Sequence, residues 1–321
     1  MPDHPPIAVM LVCGCATVIA AAVGLTGCDA QSRPVSDAMV SIARYPGNAQ
    51  AALTITCDDG YLDQYTLALP MLDRLGLPAT FFVNPGAVAD DAAVEAKTLS
   101  WARWREVAAS GHEIGNHTVT HADLRKLGKD TVAIEREVIE AKRMLEEKLG
   151  VKVESFAYPF DARSAAAGRV VEEHHVAVRG KCDFLGHDDM DGAAALAALD
   201  QAVRDGAWKV VCLHAVETGF APLGRNDLTG YLEHAARQRE QGKLAIATLA
   251  RLTKYARQRE AATVEVLTYD PVARTCTFRV QGSLDPKVYD VPLTVVVRHA
   301  GGPTVVAVTP EQFASDVRVD W

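Results

Sequence analysis

Between residues 51 and 247, short apolar runs alternate with amphipathic stretches, and this alternation restricts the possible folds more than any other feature. Strand-like runs fall at 51–57, 79–83, 112–115, 155–158, 176–179, 209–214 and 244–247. The stretch 62–75 between the first two is helix-like and closes at Gly76. Ser100 is placed to cap a helix over 101–110 that stops at Gly111. The clearest helix follows Asp130, with Ile134, Val138, Ala141, Leu145 and Leu149 on one face and Gly150 as its stop. Strands alternating with helices predict an α/β fold with a parallel sheet. About seven such units in some 200 residues fit a distorted (β/α)7-type barrel better than a three-layer sandwich. Asp58, Asp59, His117, Pro159 and His214 each fall just past a predicted strand. In a barrel those positions converge on the C-terminal face, where catalytic residues collect.

The pattern changes after the barrel, assigned to 50–258. Runs at 263–269, 275–281, 293–298 and 304–308 are short, rich in Val and Thr, and separated by turn residues. They predict a small all-β domain over 263–321. At the other end, residues 7–27 carry no charged side chain and lead into Leu25-Thr26-Gly27-Cys28. That ending resembles a bacterial lipobox, which would make Cys28 the lipidated residue and 1–28 the signal segment. Met1 to Pro6 contain no Lys or Arg, so an uncleaved anchor and an ordinary cleaved signal stay open. Each reading places the body outside the cytoplasm, in the cell envelope, and the first two attach it to a membrane. A polar stretch with Gln31, Ser32, Arg33 and Pro34 predicts a tether over 29–49.

Composition narrows the partners. Lys and Arg number 33 against 41 Asp and Glu, a formal charge of −8, and no basic cluster interrupts the balance. Nucleic acid is therefore not an expected partner. Of the seven Cys, Cys13 and Cys15 lie in the apolar segment, and Cys57, Cys182, Cys212 and Cys276 are scattered without CxxC spacing. Neither a zinc knuckle nor a disulfide framework is indicated. Cys57 and Cys212 sit in strand-like runs and read as small buried hydrophobes.

Three features can carry chemistry. His117 and His121 are four residues apart, a spacing at which two imidazoles can meet one metal or simply be two solvated loop residues. Asp58-Asp59-Gly60 places adjacent carboxylates at a strand end, where one can bind a metal and the other act as a base, or it is an ordinary turn. Gly60 allows the sharp bend. His214 ends an apolar strand. Their convergence on one rim raises all three above their separate weights.

The residues from about 50 to 255 resemble the polysaccharide deacetylases with a NodB homology domain, of the carbohydrate esterase type. Thr56-Cys57-Asp58-Asp59-Gly60 is similar to that family's Thr-Phe-Asp-Asp-Gly motif. The resemblance implies Asp58 as catalytic base and Asp59 as metal ligand. Gly111 through His121 is similar to the approach strand and His-x-x-x-His segment, which implies His117 and His121 as the other ligands. Leu213-His214 resembles the late motif that supplies the general acid. The family's Arg-x-Pro-Tyr motif aligns with Ala157-Tyr158-Pro159-Phe160, whose arginine is missing. Arg179 at the next strand end is the candidate to orient Asp58 in its stead, ahead of Arg163, and the backbone N–H of Phe160 is the implied oxyanion donor.

The implied activity is metal-dependent hydrolysis of acetyl groups on a sugar polymer, with zinc as the expected divalent ion and cobalt or another as alternatives. N-deacetylation of an N-acetylglucosamine-containing glycan leads. An O-acetyl esterase acting on xylan or exopolysaccharide is the close rival. A non-catalytic glycan-binding surface lipoprotein is the rival of another class, and the missing arginine is what favours it.

Overall fold

The computed structural model describes residues 39–91, 98–188 and 190–321, so Cys28 and the apolar segment lie outside the described residues. The predicted tether ends earlier than residue 49. Val40–Ile42 (β1) already forms a strand, paired antiparallel with the segment Leu293–His299. Three residues of ordinary composition gave no periodicity to mark it.

The barrel strands are Ala51–Asp58 (β2), Ala79–Val83 (β3), Glu113–Asn116 (β4), Ser155–Phe156 (β5), Ala177–Val178 (β6), Asp183–Leu185 (β7), Trp208–Leu213 (β8) and Leu244–Ile246 (β9). All their pairings are parallel, in the order β6-β5-β4-β3-β2-β8-β7, with β9 beside the start of β2. The strands at the two ends of this order, β6 and β7, follow one another in the chain, separated only by residues 179–182. The sheet is thus a curled, distorted barrel, as the alternation predicted. All eight residues of β2 are buried, because a parallel strand is covered on both faces and needs a continuous apolar run rather than alternation.

The connecting helices are Leu69–Leu75 (α1), Trp101–Ala109 (α2), Thr131–Glu135 (α3), Ala141–Leu149 (α4), Ala165–His174 (α5), Gly192–Asp205 (α6), Arg225–Glu240 (α7) and Leu249–Ala261 (α8). Asp130 caps α3 by accepting the Ala133 N–H at 3.0 Å. Ile134, Val138, Ala141 and Leu145 are fully buried, each larger side chain contributing roughly 1.5–3 kcal/mol. Gly150 closes α4 in the left-handed region, with φ 69°. The helix predicted as continuous here contains a π turn, Arg136–Glu140, and the one predicted over 62–75 contains another, Gln64–Ala68. Apolar spacing alone does not distinguish a helix from a helix with one extra residue in a turn.

The second region comprises Ala262–Asp270 (β10), Thr275–Gly282 (β11), Leu293–His299 (β12), Gly302–Val308 (β13) and Asp316–Asp320 (β14). Two antiparallel sheets, β1-β12-β13 and β10-β11-β14, share one core that includes Phe278, Val280, Leu293, Val295 and Val297. Val40 of β1 and Tyr255 of α8 belong to the same core, so this unit is not confined to 263–321. Tyr255 donates its hydroxyl to the Ala43 carbonyl at 2.8 Å. Lys254 pairs with Asp290 at 2.9 Å and with Glu154 at 2.6 Å. No helix among the described residues is long and apolar enough to cross a membrane.

Candidate active site

The strand ends of the barrel converge as the sequence predicted. A cavity of about 670 Å³ is lined by Asp58, Asp59, His117, His121, Arg179 and His214. β2 delivers Asp58, and the chain then turns through Asp59 and Gly60, both at φ 70°. An aspartate tolerates the left-handed region better than most residues, and Gly60 enters it freely. An alanine at Gly60 would place its Cβ 2.6 Å from the Trp104 ring, so this turn accepts nothing larger than glycine.

His117 follows β4. Its Nδ1–H donates to the Ala157 carbonyl at 2.9 Å, which fixes the tautomer and leaves the Nε2 lone pair facing the carboxylates. Burial lowers the His117 pKa, and Asp58 and Asp59 oppose this only in part, so the ring stays neutral as a metal ligand must. His121 Nε2 lies 3.2 Å and His117 Nε2 3.5 Å from Asp59 Oδ1. That oxygen is buried and has no hydrogen-bond partner among the described residues. One nitrogen from each histidine and this oxygen lie within 4.8 Å of one another. An orphaned carboxylate oxygen facing two imidazole nitrogens is a candidate donor set for a divalent cation. Three protein ligands leave coordination positions open.

Asp58 is held differently. Arg179 Nη1 donates to Oδ1 at 2.5 Å and Nη2 donates to Oδ2 at 2.6 Å. The same guanidinium reaches Thr56 Oγ1 at 3.1 Å and lies over the Phe82 ring, 5.0 Å from its centroid. Burial by itself would raise the Asp58 pKa, but Arg179 and then His117 outweigh it and hold the carboxyl below the usual range. Arg179 follows β6, at the break in the sheet. The alternative, Arg163, instead donates to the Arg179 carbonyl at 2.8 Å and stacks over Tyr158.

His214 follows β8, and its Nε2 lies 4.0 Å from Asp58 Oδ2. Phe184 stacks on the ring at 5.6 Å and Phe220 meets it edge-on at 5.1 Å. Burial works against the charged imidazole, but Cys212 beside Nδ1 and the Asp58 and Asp59 carboxylates raise its pKa above the ordinary value. Cys57 and Cys212 are fully buried, and burial pushes both thiols well up, as their reading as small hydrophobes requires. Phe160 stands at the rim in the left-handed region, φ 59°, with its exposed ring edge-on to His121 at 4.6 Å.

Several contributors were not legible in the sequence. Gln64, fully buried in its π turn, donates Nε2 to the carbonyls of Asp58 and His214, both at 2.6 Å, and so ties the ends of β2 and β8 together. Asp63 Oδ2 accepts the Val216 and Glu217 N–H groups at 2.8 and 3.2 Å, holding the loop after His214. Phe184 comes from β7, a strand of three residues with no recognisable pattern. The only available signal was the nearness of Asp63 and Gln64 to the Asp58-Asp59-Gly60 turn.

Comparison with known proteins agrees with this geometry. Residues 47–178 match the family described as Polysaccharide deacetylase, a span that takes in Asp58, Asp59, His117 and His121 and stops one residue before Arg179. That span belongs to the polysaccharide deacetylase family. A chitooligosaccharide deacetylase of Sinorhizobium fredii is 38% identical over 100 residues, 31% of this chain and 41% of that protein. A gellan lyase of a Bacillus species is 24% identical over 298 residues, 80% of this chain and 11% of that protein. The chain thus spans less than half the length of either. Among solved structures, a mutant of a CE4 family pseudoenzyme from Bacillus anthracis, with restored enzymatic activity, superposes with a TM-score of 0.50 at 18% identity. The match covers 66% of this chain and 71% of that one, and is a likeness of fold.

Proposed function

We propose that the protein removes acetyl groups from a sugar polymer, most directly by N-deacetylation of an N-acetylglucosamine-containing glycan at the cell envelope. The observation that carries this reading is the juxtaposition of two differently held carboxylates. Asp59 faces two imidazole nitrogens, and Asp58 is gripped by Arg179 beside them. Asp59, His117 and His121 would hold a divalent ion, which supplies Lewis-acid polarisation of the acetyl carbonyl and of the attacking water. Asp58, kept ionised by Arg179, takes the proton of that water. His214, its pKa raised, returns a proton to the leaving amine, which an amide needs more than an ester does. The backbone N–H of Phe160 is the donor that the family resemblance implies for the developing oxyanion.

Cavity charge supports a neutral glycan. Among the described lining residues Arg179 is the sole Lys or Arg, and it is committed to Asp58, whereas Asp161 and Asp188 add exposed carboxylates. A uronate or phosphate group placed beside Asp161 and Asp188 would meet repulsion. An acetyl ester on neutral xylan fits the same cavity and stays the alternative chemistry. The non-catalytic alternative rested on the missing arginine, and with Arg179 on Asp58 it loses that motive. Lipidation at Cys28 would hold 50–258 and the β domain at the membrane surface.

Acetate release from N-acetylglucosamine oligomers and from acetylxylan tests the reading, with chelated and metal-restored protein beside Asp58→Asn and His117→Ala. Release that needs metal and is lost in both variants is expected. Stoichiometric metal binding without release from any glycan would refute the activity, and no metal binding would refute the site.

A further inference from the structure

The loop that carries His117 and His121 is strained, and the means of holding it lie in the next helix. Thr118 and His121 both have left-handed backbone, at φ 66° and 59°. Non-glycine residues keep such conformations only where their surroundings enforce them. Four hydrogen bonds run from this loop and the residue before it to the π turn Arg136–Glu140. The Glu137 carbonyl accepts the Val119 N–H at 3.0 Å, and the Val138 carbonyl accepts Asn116 Nδ2 at 2.7 Å. The Glu137 carboxylate accepts the Thr120 N–H through Oε2 and the Thr120 hydroxyl through Oε1, each at 2.9 Å. Asn116 is fully buried and turns its Oδ1 back onto the Thr118 N–H at 2.9 Å.

A π turn carries one residue more than the α-helical turn it replaces and tilts carbonyls out of the regular pattern. Here that surplus aims two carbonyls and one carboxylate at the same loop. We propose that Glu137, with its π turn, is a positioning residue that fixes His121 opposite Asp59 and so sets the affinity of the site for its metal. The inference rests on reading Asp59, His117 and His121 as ligands. Glu137 touches none of them and acts through Val119 and Thr120.

Zinc affinity of the full chain, measured by competition with a chromophoric chelator, tests this without reference to turnover. Glu137→Ala is expected to weaken binding about tenfold, the low end of the range for partners outside the ligand set, with Glu137→Gln between it and wild type. Glu135→Ala, an exposed residue of the same helix, is the control, and the melting temperature of the metal-free protein is read for each. A purely structural role would lower that temperature and spare the affinity of the folded protein. Should Glu137→Ala not fold, Glu137→Gln carries the comparison alone. Wild-type affinity in the Glu137 variants, or an equal loss in Glu135→Ala, overturns the proposal alone. A wild type that binds no zinc overturns the ligand assignment together with it.

Discussion

Replacing Arg179 by Met removes the cation from a carboxylate that has almost no contact with water. Both Asp58 and Arg179 are 2% exposed, and both terminal guanidinium nitrogens donate to the two carboxylate oxygens. Charge centres about 4 Å apart attract by roughly 4 kcal/mol at an effective dielectric constant near 20. Removing one partner of a buried pair typically costs about 3–5 kcal/mol, because the other charge is stranded. Arg179→Met in metal-free protein should therefore lose about 3–5 kcal/mol of unfolding free energy at pH 7. The pH dependence has a definite sign. In the wild type the Asp58 pKa is depressed, so the pair's contribution is present above the unfolded-state value near 4 and is lost as pH falls through the folded-state value. Without Arg179, burial raises the Asp58 pKa, and the carboxyl takes up a proton as pH falls toward that raised value. The gap between variant and wild type should then be largest near neutrality and should narrow toward about pH 4. Urea denaturation at a series of pH values measures it. A gap under about 1 kcal/mol at pH 7, or one that does not change with pH, would refute the view that Arg179 compensates a buried charge.

Two further substitutions probe other parts of the site. His214→Gln should lower amide hydrolysis by about 10²–10⁴-fold and ester hydrolysis less, while wild-type amide turnover should decline as pH rises through the raised His214 pKa, above its ordinary 6.5. Equal losses on amide and ester in steady-state kinetics would count against its role as proton donor to the amine. Gly60→Ala combines a left-handed backbone with a contact at 2.6 Å to fully buried Trp104, and should destabilise by about 2–5 kcal/mol. A thermal melt within a degree or two of wild type would show that the turn relaxes.

Local sequence determined a good deal of this protein. Continuous apolar runs made the parallel strands legible because such strands are buried on both faces, and the β3 strand was bounded to the residue. The Asp130 cap, the buried stripe from Ile134 to Leu145 and the Gly150 stop made the long helix legible because all three are short-range effects. The family resemblance named Asp59, His117 and His121 as candidate ligands and Asp58 and His214 as candidate proton carriers from motifs a few residues long, and barrel geometry predicted that they share one rim.

What the tertiary structure decided are the relations between residues distant in the chain. Arg179 was only a candidate until the fold set it against Asp58, 121 residues away. β1 and β14 are short and gain their definition from partner strands, so β1 joined the distant β domain unannounced. Both π turns were invisible because one extra residue barely disturbs an apolar stripe, yet Gln64 and Glu137 hold the site loops from them. Sequence fixes what a segment prefers, whereas a buried hydrogen bond or ion pair exists only once another part of the chain arrives to complete it.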